Sequence, residues 1–503
     1  MNKNLNILGE ESMYTDVKSI VLAAGRSKRF KTKKNKLLHT ICGQPMVVYP
    51  AKIFESLKIP MIFVLGNQAE EVKSAILSSE IKNIDFVIQK EQLGTGNAVA
   101  CTKNKWDSQN IIILNGDSPL LTTELVESVL EKHLKANADL TFLTTFMINP
   151  KGYGRVIKKN GNVRVVEEKN CTEEEREINK VNTGIYIASS GFLKENIDKL
   201  QQDSLTGEIY LTDLVGFASE QGNILLDIPV PYDLVRGVNT LEELWAAEQI
   251  KRSELIKKFM QNGVRFELAQ SIHLDIDVEI GSGSFIATGT HLLKGTKIGE
   301  NCFIGAFSII ENSQLGDDSK VNSHTVIKDS IIGKNADIGP FARLRDNVIL
   351  QDNVIIGNFV ELKNTKIGKN SKAKHLAYLG DSTIGNNVNI GAGTITCNHD
   401  GISKNPTIIE DDVYVGSNNT IVAPLKIEKG AYTAAGSTLT QDVPKDSLAI
   451  GRSRQVNKEG YAKRLRGIKK KETEVDDIKT EIKKESFNFV GAIKTKNERE
   501  SSL

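Results

Sequence analysis

"KIGENCFIG" (Lys297–Gly305), "IIGKNADIG" (Ile331–Gly339) and "TIGNNVNIG" (Thr383–Gly391) repeat one phrase: isoleucine–glycine, four residues, isoleucine–glycine. The same branched-residue position recurs at Ile280 and Ile356, and its phase continues through Val415, Ile421 and Ile427. A period of six is too short for any helical repeat. It matches a parallel β-helix, in which each short strand plus turn makes one face of a coil. The branched residue points inward and stacks on its counterpart one coil away. Glycine or asparagine takes the turn, where left-handed dihedrals cost little. Residues 264–461 are therefore expected to form a left-handed parallel β-helix of hexapeptide repeats.

Working outward from this block, "LEELWAAEQIKRSELIKKFMQNG" (Leu241–Gly263) has helical spacing and a glycine stop, the pattern of a linker helix over 241–263. Upstream, the grammar is different. "SIVLAAG", "MIFVLG", "DFVIQ", "NIIILNGD", "DLTFLTTF", "TGIYIAS" and "NILLDIPV" are buried-strand runs, and helical stretches such as Met46–Leu57, Thr123–Ala136 and Ser190–Leu200 lie between them. Strand followed by helix predicts a doubly wound, Rossmann-like α/β domain over 17–240. Ligands of such sheets bind at the carboxyl ends of the strands. The loops after Leu22, Leu65, Gln89 and Leu114 should then face one crevice. Residues 1–16 form an N-terminal extension in which Met13 is an alternative start. Residues 462–503 form a charged C-terminal tail, partly helical or disordered.

At 503 residues, two or three domains are expected. A formal net charge of +2 argues against a polyanion as the main partner, so no nucleic acid is expected. The five cysteines are widely spaced without a C-x-x-C pair, which suits reduced thiols and neither zinc nor a disulfide framework. No segment reads as a signal peptide or membrane span, so the expected location is the cytoplasm, with no membrane partner.

Three loops of the first half carry phosphate chemistry. "LAAG" (Leu22–Gly25) ends a strand and opens onto a basic run with Arg26, Lys28, Arg29, Lys31, Lys33, Lys34 and Lys36. Such a turn lets backbone N–H groups approach a phosphate. In "QKEQLGTGNA" (Gln89–Ala98), Gln89 can read a base edge, and Gly94-Thr95-Gly96 leaves room for a ring on bare backbone. In "ILNGDSPL" (Ile113–Leu120), Asp117 follows a buried strand and could hold Mg²⁺ between phosphates. Together the three loops point to nucleotidyl transfer. Lys31, Lys33 and Lys34 read as solvated surface charge.

In the second half, "SKAKHLAYLGD" (Ser371–Asp381) looks like a break in the repeat, and it carries His375. Glu361, fourteen residues earlier, should fall on a neighbouring coil and orient the imidazole. That pair suits a general base for a substrate amine. "NIGAGTITCNHDG" (Asn389–Gly401) is a second break whose polar groups could face the same cleft.

Leu22–Gly25, Lys36, Gln89-x-x-Gln92-Leu93-Gly94-Thr95-Gly96, Gly116-Asp117-x-Pro119-Leu120, Gly152-Tyr153-Gly154-Arg155, Asn182-Thr183-Gly184 and Gly237-Val238-Asn239 resemble the sugar-phosphate nucleotidyltransferases. With the second half, residues 17–461 resemble the bifunctional bacterial enzymes that acetylate glucosamine-1-phosphate and then uridylylate it. The resemblance implies that Asp117 and Asn239 bind Mg²⁺. Gln89, Gly94 and Thr95 would read uracil, and Lys36 with Arg29 would neutralise the triphosphate of UTP. Leu22, Ala23, Ala24, Asn115 and Gly116 would complete the nucleotide site, and Gly154, Glu167 and Asn182 would hold the N-acetylglucosamine-1-phosphate. His375 would deprotonate glucosamine-1-phosphate for attack on acetyl-CoA, while Arg345 and Lys363 bind its phosphate and Tyr378 and Asn389 its sugar. Asn398 would place the acetyl group, with Ala392, His399, Ser417, Ala435 and Arg452 along the acetyl-CoA groove. The family assembles this second site from three chains, which implies a homotrimer.

Three departures stand out. The family loop G-x-G-T-R-M followed by P-K is here Gly25-Arg26-Ser27-Lys28-Arg29-Phe30 followed by Asn35-Lys36, and Asn115 stands where an aromatic residue is common. Position 399, usually tyrosine, is histidine. Rival readings are a single-activity nucleotidyltransferase with a structural β-helix and a non-catalytic assembly subunit of the same layout. His375 with Glu361, Lys363 and Arg345 opposes the first. Lys36, Gln89, Asp117 and Asn239 oppose the second.

Overall fold

The computed structural model describes residues 14–25 and 28–497. Residues 1–13 with Met13, and Arg26 and Ser27 of the departing loop, lie outside the described residues, as does the tail beyond Asn497. The chain divides into two units after Ala449.

All seven apolar runs of the first half are strands: β1 (Val17–Ala23), β2 (Met61–Leu65), β3 (Ile84–Ile88), β4 (Asn110–Asn115), β5 (Leu140–Phe146), β8 (Lys180–Ser189) and β9 (Leu225–Pro229). Two more, β6 (Arg155–Lys159) and β7 (Asn162–Val166), form a hairpin that the apolar pattern hides. Val156 and Ile157 are followed by exposed Lys158 and Lys159, and exposed Arg164 interrupts the valines of β7, so no continuous apolar run marks it. The sheet order is β9-β5-β8-β4-β1-β2-β3, with β6 and β7 attached at the edge of β8. β1, β2, β3 and β4 run parallel, as expected of a Rossmann-like sheet. β8 enters antiparallel between β4 and β5, which makes the sheet mixed. Apolar clusters cover both faces, one around Val21, Phe63 and Leu114, the other around Ile20, Ile62 and Ile113. Alternate residues of one strand thus serve opposite cores.

The helix Leu241–Gln261 opens on a capping box between Thr240 and Glu243. Its Ala247, with Leu244 and Ile250, joins Phe30, Met46, Tyr49 and Val238 in a small core that also takes Ile276 of the second half. The Ile276 N–H donates to the Cys42 carbonyl at 2.9 Å, so the two halves are hydrogen-bonded directly.

From Arg265 the chain winds into three parallel sheets of eleven, ten and nine strands, which make the three faces of the left-handed β-helix. Inward columns are unbroken: Ile280, Ile298, Leu315, Ile332, Leu350, Ile367, Ile384, Ile409 and Ile427 pair in register down the third face. Asparagine and aspartate hold most left-handed corners, as the repeat predicts. One corner column does not follow that rule. After Gly289 it carries Phe307, His324, Phe341, Phe359 and Leu376, all at positive φ. The rings stack at 5.0–5.4 Å between centroids, which offsets the left-handed strain by contact along the column. The second unit holds a helix, Tyr461–Asn497, whose described side chains are exposed.

Candidate active sites

The first site forms where β1, β3 and β4 end. Backbone bonds lock these ends together: Gly116 N–H to Leu22 O at 2.9 Å, and Gln89 N–H to Leu65 O at 2.8 Å. A cavity of about 490 Å³ opens here, lined by Leu22, Ala23, Ala24, Gly25, Lys36, Gln89, Gly94, Thr95, Asn115 and Asp117. A second cavity of about 290 Å³ shares Leu22, Thr95, Asn115 and Asp117 with it and adds Arg29, Gly154, Glu167, Asn182 and Asn239. The loop after Leu65 backs this wall from behind, with Gly66 packed on Ala24.

Lys36 sits on a single 3₁₀ turn capped by Asn35, whose Oδ1 accepts from Leu37 N–H at 3.0 Å. The same side chain donates from Nδ2 to Asn67 O at 3.0 Å. Asparagine in the place of the family's proline thus ties the lysine turn to the loop after β2. The Lys36 ammonium forms a salt bridge with Asp117 and donates to Asn239 Oδ1 at 2.9 Å, and Arg29 donates to the same oxygen at 2.8 Å. One carboxylate and one amide oxygen therefore already gather around a cation. Mg²⁺ takes one or two protein oxygens and fills its octahedron with water and substrate phosphates, so this donor set fits it.

On the base side, Gln89 is buried and donates from Nε2 to Gly94 O at 3.1 Å and Asn97 Oδ1 at 2.7 Å. Both its protons are used within the protein, which leaves Oε1 as an acceptor for a ligand N–H. Gly94 has φ +103°, and a Cβ there would lie 2.6 Å from Ile209 O. On the other side, Asn182 ends a regular stretch of β8 at a register shift, with its N–H on Gly154 O at 2.9 Å. Its Nδ2 donates to Tyr186 Oη at 2.6 Å, while its buried Oδ1 has no partner among the described residues. Glu167 accepts from Thr212 Oγ1 at 3.0 Å, and burial pushes its carboxyl above the usual range. Gln92, Glu208, Tyr210 and Thr212 also line these cavities and carry no periodic signal. Three of them fall in "TGEIYLTD" (Thr206–Asp213), whose glycine turn was the available clue.

The β-helix places its candidate residues differently. His375 ends a strand of the first face, and the residue one coil below it is Asn358, 17 positions earlier. Asn358 Oδ1 bonds His375 Nδ1 at 2.9 Å. Glu361 does not reach the imidazole within this chain. It lies on the second face and pairs with Arg345 Nε at 2.8 Å, because the coil repeats every 17 residues there and not every fourteen. The apparent break at Ser371–Asp381 is a regular coil whose inward residue, Ala373, is small enough to disguise the repeat. The true insertion follows it, where the coil lengthens to 25 residues and projects a loop from Asn398 to Pro406.

Above His375 the same corner continues through Ala392, Ser417 and Ala435, joined by Asn418 N–H to Ala392 O at 2.7 Å and Gly436 N–H to Ser417 O at 2.8 Å. Arg345 and Lys363 pair in register on the second face, at its far edge. With them lie Tyr378, Asp381 and Asn398. Tyr378 covers Gly380, where a Cβ would fall 2.5 Å from its Oη. The projecting loop returns Lys404 to this group, and the neighbouring Lys363 ammonium holds its pKa below the ordinary lysine value. Sequence reading missed Lys404, which lies three residues beyond the second break. His399 accepts from Gly401 N–H at 3.2 Å in that loop. Asn389 sits on the first face in register with Lys372 and Tyr414, apart from Arg345 and Lys363. Arg452 is an exposed residue of the second unit. One chain thus brings the first site together and distributes the second over two edges.

Residues 19–153 match the MobA-like NTP transferase domain, residues 257–362 the EIF2B subunit epsilon LbH domain, and residues 406–441 the hexapeptide repeat of succinyl-transferase. Across nearly full length, the chain is 45% identical to the Bifunctional protein GlmU of Fervidobacterium nodosum over 454 residues, 90% of this chain and 98% of that protein. It is 43% identical to the protein of that name from Thermosipho melanesiensis, with 90% and 99% covered, and 43% identical to that of Geotalea daltonii, with 88% and 98% covered.

Proposed function

The chain belongs to the family of bifunctional GlmU proteins, and from that premise we propose how its two halves divide the work. The enzyme acetylates glucosamine-1-phosphate from acetyl-CoA and then transfers uridylyl from UTP to N-acetylglucosamine-1-phosphate, releasing pyrophosphate. The observation that carries the first assignment is the cation cluster at the mouth of two joined cavities, where Lys36 pairs with Asp117 and Asn239 Oδ1 accepts from both Lys36 and Arg29.

In uridylyl transfer a phosphate oxygen of the sugar phosphate attacks the α-phosphorus of UTP in line, and the bond to the β-phosphate oxygen breaks. No side-chain nucleophile is required, so the protein's share is positioning and charge stabilisation. Lys36 and Arg29 stand at the triphosphate. Asp117 and Asn239 would hold Mg²⁺, which when bound would spread the phosphate charge. Gln89 Oε1 accepts from the uracil N3–H, and the unpartnered Asn182 Oδ1 and the Glu167 carboxyl receive donors of the acetylamino sugar.

In acetyl transfer the substrate amine attacks the thioester carbon, its proton passes to His375 Nε2, and the leaving thiolate takes a proton to give CoA. Asn358 holds the opposite ring nitrogen and so fixes which nitrogen faces the amine. Arg345, Lys363 and Lys404 form the anion site for the sugar phosphate. His375 and these cations occupy different edges of one column, which supports a homotrimer in which the His375 edge of one chain meets the cationic edge of its neighbour. The exposed stack of Phe307, His324, Phe341, Phe359 and Leu376 runs along the His375 edge and supplies an apolar seam for that contact. In such an assembly Glu361 joins the site with the cationic edge of the neighbouring chain, and Asn389, on the first face, joins it from another corner.

Separate assays test this reading. Pyrophosphate should appear from UTP only with N-acetylglucosamine-1-phosphate and Mg²⁺, and CoA only with glucosamine-1-phosphate. Absence of CoA release from a trimeric, folded protein would leave the single-activity alternative. The non-catalytic assembly reading, to which the EIF2B-type match bears a likeness, is disfavoured by the intact cation cluster of the first site.

A further inference from the structure

The helix Tyr461–Asn497 spans 37 residues, and its side chains up to Glu485 are exposed. An isolated helix gains little from propensity alone, and most helical stability in proteins comes from burying one face. Tyr461, Leu465, Ile468, Val475, Ile478 and Ile482 are 45–60% exposed. Their spacings are 4, 3, 7, 3 and 4 residues, a series that reads the same from either end and centres between Lys471 and Glu472. At about 100° per residue they fall within an arc of about 140°, one continuous face.

The charges reverse about the same centre. From Lys463 to Lys471 every charged residue is basic: Lys463, Arg464, Arg466, Lys469, Lys470 and Lys471. From Glu472 to Asp477 every charged residue is acidic: Glu472, Glu474, Asp476 and Asp477.

We propose that this helix pairs antiparallel with the same helix of a second copy of this chain, about a two-fold axis between Lys471 and Glu472. Tyr461 then lies level with Ile482, Leu465 with Ile478 and Ile468 with Val475, each pair occurring twice. The helices overlap over Tyr461–Ile482, about 33 Å, and within it Arg466, Lys469 and Lys471 of each copy lie level with Asp477, Glu474 and Glu472 of the other. A parallel pair would set basic on basic and acidic on acidic. An anionic membrane would be met by the Glu472 carboxylate inside that face and by Asp476 beside it. The self-complementary surface is what an isologous contact requires. Neither reaction of the enzyme is involved, so the pairing stands or falls independently of the active sites.

Sedimentation of the full chain, compared with the chain ended after Gly460, reads the effect directly. The full chain should have twice the assembly mass of the shortened one. K469E/K471E should halve the mass, and adding E472K/E474K to it should restore the doubling. Y461C and I482C proteins should form a disulfide-linked pair only when mixed. Equal mass with and without the helix overturns the proposal, as does linkage of Y461C to itself, which would mean a parallel pair. Flotation of the full chain with phosphatidylserine vesicles at unchanged mass would overturn it in favour of a membrane surface.

Discussion

The two halves solve the problem of gathering polar groups in opposite ways. In the mixed sheet, parallel strands end at one level, so loops distant in sequence converge, and Lys36 touches both Asp117 and Asn239. In the β-helix, residues stack along the column at fixed corners, so groups on different corners of one chain stay apart. His375 meets Asn358, and Arg345 meets Glu361, on separate edges. Convergence is intrinsic to the first architecture. For the second, the proposed homotrimer would supply it.

This contrast can be broken by exchange of function between copies. His375→Ala should lower CoA release by about 10²–10⁴-fold, the range of a general base, with pyrophosphate release unchanged. Asp117→Ala should lower pyrophosphate release by about 10²–10³-fold with CoA release unchanged, measured at saturating Mg²⁺. Mixing unfolded and refolded His375→Ala and Lys363→Ala chains should return about a quarter of the acetyl-transfer sites, because random assembly pairs one intact edge with another at that frequency. The same mixing of Asp117→Ala and Lys36→Ala chains should return nothing, since those residues share one chain. Recovery in the second mixture, or none in the first, would erase the distinction.

A smaller effect separates the halves by acid. His133 is buried between Thr141 Oγ1 at 2.8 Å and Asn110 Oδ1 at 3.0 Å, and burial pushes its pKa down to about 4. Below about pH 6.5 the unfolded chain binds a proton that the folded α/β half refuses, so stability falls as pH drops towards 4. The full span is about 3 kcal/mol. Urea unfolding followed by loss of pyrophosphate release should show the drop between pH 7 and pH 5. His133→Gln, which keeps hydrogen bonding without the titration, should flatten it. The β-helix transition should move less over this window.

Much of the molecule was legible in the chain. The I-G-x₄-I-G phrase marks the inward column because a β-branched residue at each coil has no other place to go. The seven apolar runs mark the sheet because its central strands are covered on both faces. The β6–β7 hairpin escaped because buried Arg155 and exposed Lys158, Lys159 and Arg164 cut its apolar runs to two residues. The coil at Ser371–Asp381 misled because Ala373 fills the place of an isoleucine. Residues of the first site read well wherever they end a strand, as Gly25, Gln89 and Asp117 do. Glu208, Tyr210 and Thr212 did not, since they lie in irregular chain between helices.

By itself, the sequence determined the two architectures and the chemical types at each site, because periodicity and strand-end motifs are local properties of the chain. Only the tertiary structure decided which groups meet. The 17-residue coil puts Asn358 under His375 and leaves Glu361 to Arg345. Asn35 proved to be the cap that holds the Lys36 turn. Such pairings depend on coil length and strand register, which emerge when whole elements stack and which no short segment encodes.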